Sequence, residues 1–297
     1  MLAAPFTFLP LRRDRLLGES AYNATAQKLR IPSRDKNRKI VAYLHVPPSS
    51  SSASALALAK PIVVNWHGSG FIMPLLGSDS LYCAQIAKEA GVFVLDCDYR
   101  KAPEHPFPAA PEDVEDVLKW VASQSDRFDT TRVAVSGFSA GANLALVAAS
   151  VLRKTVEVTI KTAIAIYPVT DISLAPESKK VPAPIKPISP SMARLFNNCY
   201  VPDPAMRTDP RVSPSYAKLE DFAPTVVMIT CEGDTLSPEA DSLAEKLDDG
   251  QRKVAHLRLK GVHHGFDKGP KEGSKEWERR EEAYKLVVKM VRESLGA

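Results

Sequence analysis

Apolar positions recur along this chain with two periods, and the switching between them sets an architecture. From Lys39 to Val46, Ile40, Ala42, Leu44 and Val46 alternate with Val41, Tyr43 and His45, the two-residue period of a strand. Pro47-Pro48 ends it. Pro61 to Trp66 and Val92 to Asp98 are short β-branched and aromatic runs of the kind a sheet buries on both faces. Between them, Ser78 or Asp79 is placed to cap a helix that runs to Ala90 and closes at Gly91. Val114, Val117, Leu118 and Val121 then fall at helical spacing. Arg132 to Val135 predicts a strand and Ala140 to Leu152 a helix. Val156–Tyr167, Pro224–Thr230 and Val254–Leu259 predict further strands, and Pro238–Leu247 another helix. Trp277, Tyr284, Val287 and Val291 share one face of a C-terminal helix. Strands alternating with helices mean a mostly parallel sheet covered on both faces. Reactive residues then gather at the carboxyl ends of the strands.

Two stretches break the rhythm. Residues 1–30 mix apolar and basic positions, among them Leu9, Leu16, Tyr22 and Leu29, without a strand signal, and read as helical turns lying over something else. Residues 172–215 carry nine prolines around one short helix expected from Ser191 to Asn198. An insertion of that length is usually functional or poorly ordered. The serines from Ser49 to Ser54 read as a loop tip.

Composition narrows the class only modestly. With 297 residues, 44% hydrophobic and 25% charged, the chain has the make-up of an ordinary globular protein with room for a sizeable core. Its 39 basic and 35 acidic residues are spread along the sequence, so the balance points to no nucleic-acid or membrane partner. Cys83, Cys97, Cys199 and Cys231 show no CxxC spacing, which argues against a zinc or redox motif. Cys83, Cys97 and Cys231 sit in apolar patterns and read as small buried hydrophobes. The N-terminus lacks a leading positive charge and a small-residue cleavage site, and no run approaches the roughly 18 apolar residues of a membrane helix. A cytoplasmic location is the expectation, and the Asn23 sequon reads as chance.

The chemistry centres on Gly137-Phe138-Ser139-Ala140-Gly141. Glycines two residues either side of a serine allow a sharp strand-to-helix turn that lifts the hydroxyl out of the fold. A serine needs a base near neutral pKa, and that base needs an orienting acid. Asp234 and His264 each follow a predicted strand, in the order serine, acid, histidine. Asp171 and Glu232 are alternatives for the acid, and sequence physics alone does not choose between His263 and His264. The loop His67-Gly68-Ser69-Gly70, together with the N–H of Ala140, offers backbone donors for an oxyanion. His67 reads as a hydrogen-bonder that fixes this loop and His105 as structural. Asp98 with Arg100 and Glu104 reads as a charged network beneath the loop, and Glu239 and Asp241 as helix-start charges.

Taken together, His67-Gly-Ser-Gly-Phe71, Asp98-Tyr-Arg-Lys-Ala-Pro-Glu-His-Pro-Phe-Pro-Ala109, Gly137-Phe-Ser-Ala-Gly141, Tyr167-Pro-Val-Thr-Asp171, Glu232-Gly-Asp-Thr-Leu236 and His264-Gly-Phe266 resemble the hormone-sensitive-lipase-like esterases of the α/β-hydrolase fold. The resemblance runs from about residue 30 to the end. It implies Ser139 as nucleophile, Asp234 and His264 as its partners, and Ser69, Gly70 and Ala140 as oxyanion donors. It implies a core of residues 31–171 and 216–297, with a cap built from residues 1–30 and the insertion 172–215 after Asp171. The expected reaction is carboxylic ester hydrolysis through an acyl-enzyme on a small-molecule substrate, without metal or cofactor; a homodimer is left open. The same fold also hosts lyases, isomerases and cyclisation catalysts. Some relatives bind a hormone under the cap after losing a triad member, but His264 is retained in this chain. Two positions depart from the family pattern: Ser69 stands where a third glycine is usual, and Phe138 where aspartate is frequent.

Overall fold

The computed structural model describes residues 26–48 and 59–297. Residues 1–25, with the Asn23 sequon, and the serine-rich tip lie outside the described residues. Eight strands, β1 (Ala26–Pro32), β2 (Lys39–His45), β3 (Lys60–Trp66), β4 (Phe93–Cys97), β5 (Phe128–Phe138), β6 (Ile160–Ile166), β7 (Thr225–Cys231) and β8 (Lys253–Leu259), form one sheet in the order β1-β2-β4-β3-β5-β6-β7-β8. The β1–β2 and β2–β4 pairs are antiparallel and the remaining pairs parallel. Both faces are covered. Helices α2 (Ala109–Ala122), α3 (Ala140–Ala148) and α5 (Ser237–Leu247) pack on one side, and α1 (Ser80–Ala90) and α6 (Lys275–Leu295) on the other. The central strands read as continuous apolar runs because both of their faces are dry: Ile62, Val64 and Trp66 join one core and Val63 the other.

Most predicted elements are present, with instructive differences. β1 lies in the stretch that carries no strand signal; it is an edge strand whose only fully buried residue is Ile31. The helix expected to reach Leu152 stops at Ala148, followed by a separate 3-10 turn over Leu152–Lys154. Gly91 closes α1 in the left-handed conformation at φ 72°, as its position suggests, but neither Ser78 nor Asp79 caps the helix with its side chain. In the insertion, α4 (Pro190–Tyr200) starts at Ser189, whose hydroxyl accepts from the Met192 N–H.

Register sets the site. Trp66 pairs with Gly137, Gly137 with Ala165, and Ile166 with Ile229. The loops that follow β3, β5, β6 and β7 therefore leave the sheet side by side along one edge. Strand order reverses at β3, with β4 on one side and β5 on the other, which opens a crevice there.

Candidate active site

The turn at Ser139 is forced by close packing. A Cβ on Gly137 would stand 2.2 Å from the Gly141 carbonyl oxygen, and one on Gly141 would stand 1.9 Å from that of Trp66. Only hydrogen fits at either position. Ser139 itself is held at φ 51° and ψ −115°, a conformation costly for a side-chain-bearing residue. Its N–H donates to the Ile166 carbonyl at 2.9 Å, so β6 helps hold the strain.

Three residues from three loops converge. His264 Nε2 lies 2.9 Å from Ser139 Oγ, and His264 Nδ1 lies 2.7 Å from Asp234 Oδ2. With Nδ1–H donating to the carboxylate, Nε2 is left as an acceptor for the serine proton. Asp234 is buried, and its other oxygen accepts from the Leu236 N–H at 3.0 Å. His263 turns away: its Nδ1 donates to the His264 carbonyl and its Nε2 faces Lys186 Nζ at 3.2 Å. Asp171 instead accepts from Ser173, and Glu232 from the Gly261 N–H.

The loop after β3 is braced from below. Ser69 Oγ and Tyr99 Oη are 2.6 Å apart, and Tyr99 Oη donates to the His67 carbonyl at 2.9 Å. The Ser69 hydroxyl is therefore left to donate to Tyr99. Left-handed φ falls on Gly70 (56°) and Phe71 (64°) and not on Ser69, so the serine in place of glycine carries no backbone penalty. His67 Nδ1 lies 3.0 Å from the Gly68 carbonyl and Nε2 3.3 Å from Asp98 Oδ1. Burial, helped by the nearby Lys101 charge, holds His67 below the ordinary histidine range and so neutral. Burial opposes ionisation of Asp98, yet the His67 hydrogen bond and Lys101 outweigh it and keep the carboxyl well below its usual range.

The expected network beneath the loop thus has a different membership. Lys101, not Arg100, pairs with Asp98 at 2.7 Å. Arg100 is drawn instead to Asp113, Glu112 and Asp35, while Glu104 and His105 are exposed.

Ser69, Gly70 and Ala140 all line a cavity of about 560 Å³ that also contains Ser139 and His264. Ala140 opens α3, where an N–H has no acceptor within the helix. The insertion contributes Ile188, Met192 and Phe196 to the wall of the cavity, alongside Leu75 and Leu236, and the Phe196 ring packs over Gly70. Two anchors that sequence reading missed hold this wall. Asn143 Nδ2 donates to the carbonyls of Val169 (2.9 Å) and Val212 (2.8 Å). Glu239, expected to be a helix-start charge, is buried; it accepts from the N–H groups of Thr170 and Asp171 and pairs with Lys179 at 2.5 Å. Asp241 pairs with His256 and Arg258 at the edge of the sheet. Among the described residues, no cluster of three His, Cys, Asp or Glu side chains is arranged to hold a metal ion.

A doubly covered sheet with a serine elbow after β5, an acid after β7 and a histidine after β8 defines an α/β hydrolase. Residues 63–268 match the alpha/beta hydrolase fold family. The ethyl acetate hydrolase of Pseudomonas putida is 30% identical over 241 residues, 80% of this chain and 74% of that protein. Carboxylic ester hydrolase LipN of Mycobacterium tuberculosis is 31% identical over 75% of this chain, which spans 60% of LipN. Among solved structures, the thermophilic carboxylesterase EstE1 from a metagenomic library matches with a TM-score of 0.80 at 27% identity, over 98% of this chain and 96% of its own. The chain belongs to the alpha/beta hydrolase fold family and, within it, to the hormone-sensitive-lipase-like esterases.

Proposed function

We propose that this protein is a serine carboxylesterase in which Ser139 attacks the ester carbonyl, His264 takes its proton, and Asp234 holds the imidazole in the required tautomer. The observation that carries this reading is the unbroken chain of hydrogen bonds from Ser139 through His264 to buried Asp234, opening onto a mainly apolar cavity. The N–H groups of Ser69, Gly70 and Ala140 stabilise the oxyanion. His264 then protonates the departing alcohol, and water, activated by the same imidazole, releases the acid from Ser139.

The names of the relatives support small carboxylic esters as substrates. The cavity volume of about 560 Å³ suits acyl or alcohol groups of small to medium size. Residues 172–215 act as the cap over this cavity. No helix among the described residues is long and apolar enough to cross a membrane, and the four free cysteines suit a reducing compartment such as the cytoplasm.

The test is turnover of a p-nitrophenyl ester series from acetate to decanoate. We expect activity falling off at long chains, a phosphonate adduct on Ser139 by intact mass, and a loss of at least about 10³-fold in kcat for Ser139→Ala. Full activity in that variant, or product masses showing no added water, would refute the assignment.

A further inference from the structure

A charged cluster flanks the site, with Lys268 itself lining the cavity, and the hydrolytic scheme leaves it without a task. Lys268 Nζ lies 2.7 Å from Asp79 Oδ1 and 2.9 Å from Asp267 Oδ2, with the Phe138 ring centre 3.6 Å away. Phe138 precedes Ser139, Asp267 and Lys268 end the turn that starts at His264, and Asp79 stands just before α1. One ammonium therefore joins three separate parts of the chain. Both carboxylates are buried and held from their other sides. Asp267 accepts from Tyr167 Oη at 2.6 Å and Tyr284 Oη at 2.7 Å. Asp79 accepts from Asn65 Nδ2 at 3.0 Å and Ser78 Oγ at 2.9 Å.

The turn needs such a fastening. Gly265 has φ 71°, with nothing within 4 Å of where its Cβ would be, and the turn is closed locally by backbone bonds from Phe266 N–H to the His263 carbonyl and from Lys268 N–H to the Gly265 carbonyl, each 3.2 Å. Restraint comes from the Tyr167 ring, centred 4.7 Å from the imidazole, and from Phe266, Asp267 and Lys268, which anchor the far end. Burial works against a charge on Lys268, but Asp267 and Asp79 outweigh it and keep the ammonium protonated.

We propose that Lys268, clamped between Asp79 and Asp267, is a positioning residue for His264 and shields that imidazole from the two carboxylates. The proposal rests on His264 being the general base. The charged and titratable groups around the imidazole are Asp234 from the loop after β7, Tyr167 from the end of β6, and His263, Asp267 and Lys268 from its own turn. Asp79 stands at the start of α1, and Lys186 of the insertion touches His263. In this set Lys268 offsets two buried carboxylates, and Asp96, joined to Asp79 through Asn65 Nδ2 at 3.0 Å on each side, is a third carboxyl of the same cluster. Removing Lys268 leaves a surplus of negative charge beside the site, which favours imidazolium; removing the Asp79 charge does the reverse.

The experiment is kcat/KM against pH for wild type, Lys268→Met, Lys268→Arg and Asp79→Asn, alongside an NMR titration of the His264 imidazole, which needs no turnover. Lys268→Met is expected to move the acidic limb and the imidazole titration to higher pH by about 0.3 to 1 unit, and to lower kcat about tenfold with KM within twofold. Asp79→Asn is expected to move both to lower pH, and Lys268→Arg to restore most of kcat and the wild-type limb. If Lys268→Met does not fold, the isosteric Asp79→Asn and Asp267→Asn carry the test, both with downward shifts. Lowered melting temperature with an unmoved titration, or shifts of the same sign in Lys268→Met and Asp79→Asn, would overturn the proposal. A wild type inert toward every ester would count against the esterase reading, while the imidazole titration would still decide this one.

Discussion

At the scale of single residues, the site is controlled by contacts too tight to admit substitution. Gly141→Ala would drive a Cβ to within 1.9 Å of the Trp66 carbonyl oxygen, where backbone cannot give way. We expect it to abolish soluble expression or to lower the melting temperature by more than about 10 °C. Tyr99→Phe is subtler. It removes the donor to the His67 carbonyl and the acceptor for the Ser69 hydroxyl, both in buried surroundings. A loss of about 1 to 3 kcal/mol follows for buried polar groups left unpaired, and urea denaturation should read it. The lower kcat expected beside it would reflect a loosened loop. Asp234→Asn keeps the shape but favours the wrong tautomer of His264, so kcat should fall about 10⁴-fold. Ser139, Asp234 and His264 were legible because glycines, strand ends and chain order all restrict them. The choice between His263 and His264 was not, since adjacent residues differ only in where the chain turns. Lys101 was missed for a similar reason: Arg100 stands next to it, and only the three-dimensional position of Asp113 decides which cation goes where.

At the scale of elements, legibility followed burial. β3, β5 and β7 could be read because most of their residues are buried, whereas β1 shows Ala-Gln-Lys-Leu-Arg-Ile-Pro with most side chains half or fully exposed. An edge strand so wet has no apolar alternation to detect. The roles of Asn143 and Glu239 escaped because their partners lie 26 to 69 residues away in sequence. Those roles yield a prediction for the insertion. Glu239→Gln breaks a buried ion pair with Lys179 and leaves an ammonium without its counter-charge. Such losses run to about 3 to 5 kcal/mol. We expect earlier unfolding in urea, faster proteolysis within residues 172–215, and a KM raised more than kcat is lowered. Unchanged proteolysis would mean that the pair does not hold the wall of the cavity.

For the molecule as a whole, a buried carboxyl makes stability depend on pH in an uncommon direction. Burial, with the Asp79 charge adding to it, pushes the Asp96 carboxyl up to about 8. In the unfolded chain the same group returns to about 4. Between those values the folded protein keeps a proton that the unfolded chain has released, so stability falls as pH rises across that window and levels off above it. Asp96→Asn removes this dependence. Its melting temperature relative to wild type should climb from about pH 4 to about pH 8 and stay level above that by calorimetry, and a constant difference across that window would rule out Asp96 as the source. No pattern in the sequence announces this, because Val92 to Asp98 reads simply as a buried strand and Asp96 as one polar residue within it.

The grip of Asn143 bears on exchange of segments between relatives. One side chain holds the backbone on both sides of the insertion, at Val169 and Val212, and bonds from Ser215 N–H to the Thr170 carbonyl and from Ile172 N–H to Ser213 Oγ tie the two stems together beside it. A neck that narrow makes the segment a transplantable module. Splicing just outside Val169 and Val212 should let a segment of different length be installed without disturbing the sheet, provided the donor brings carbonyls to the same amide. Cuts placed inside those stems would keep both of this chain's own carbonyls, and with them the grip of Asn143.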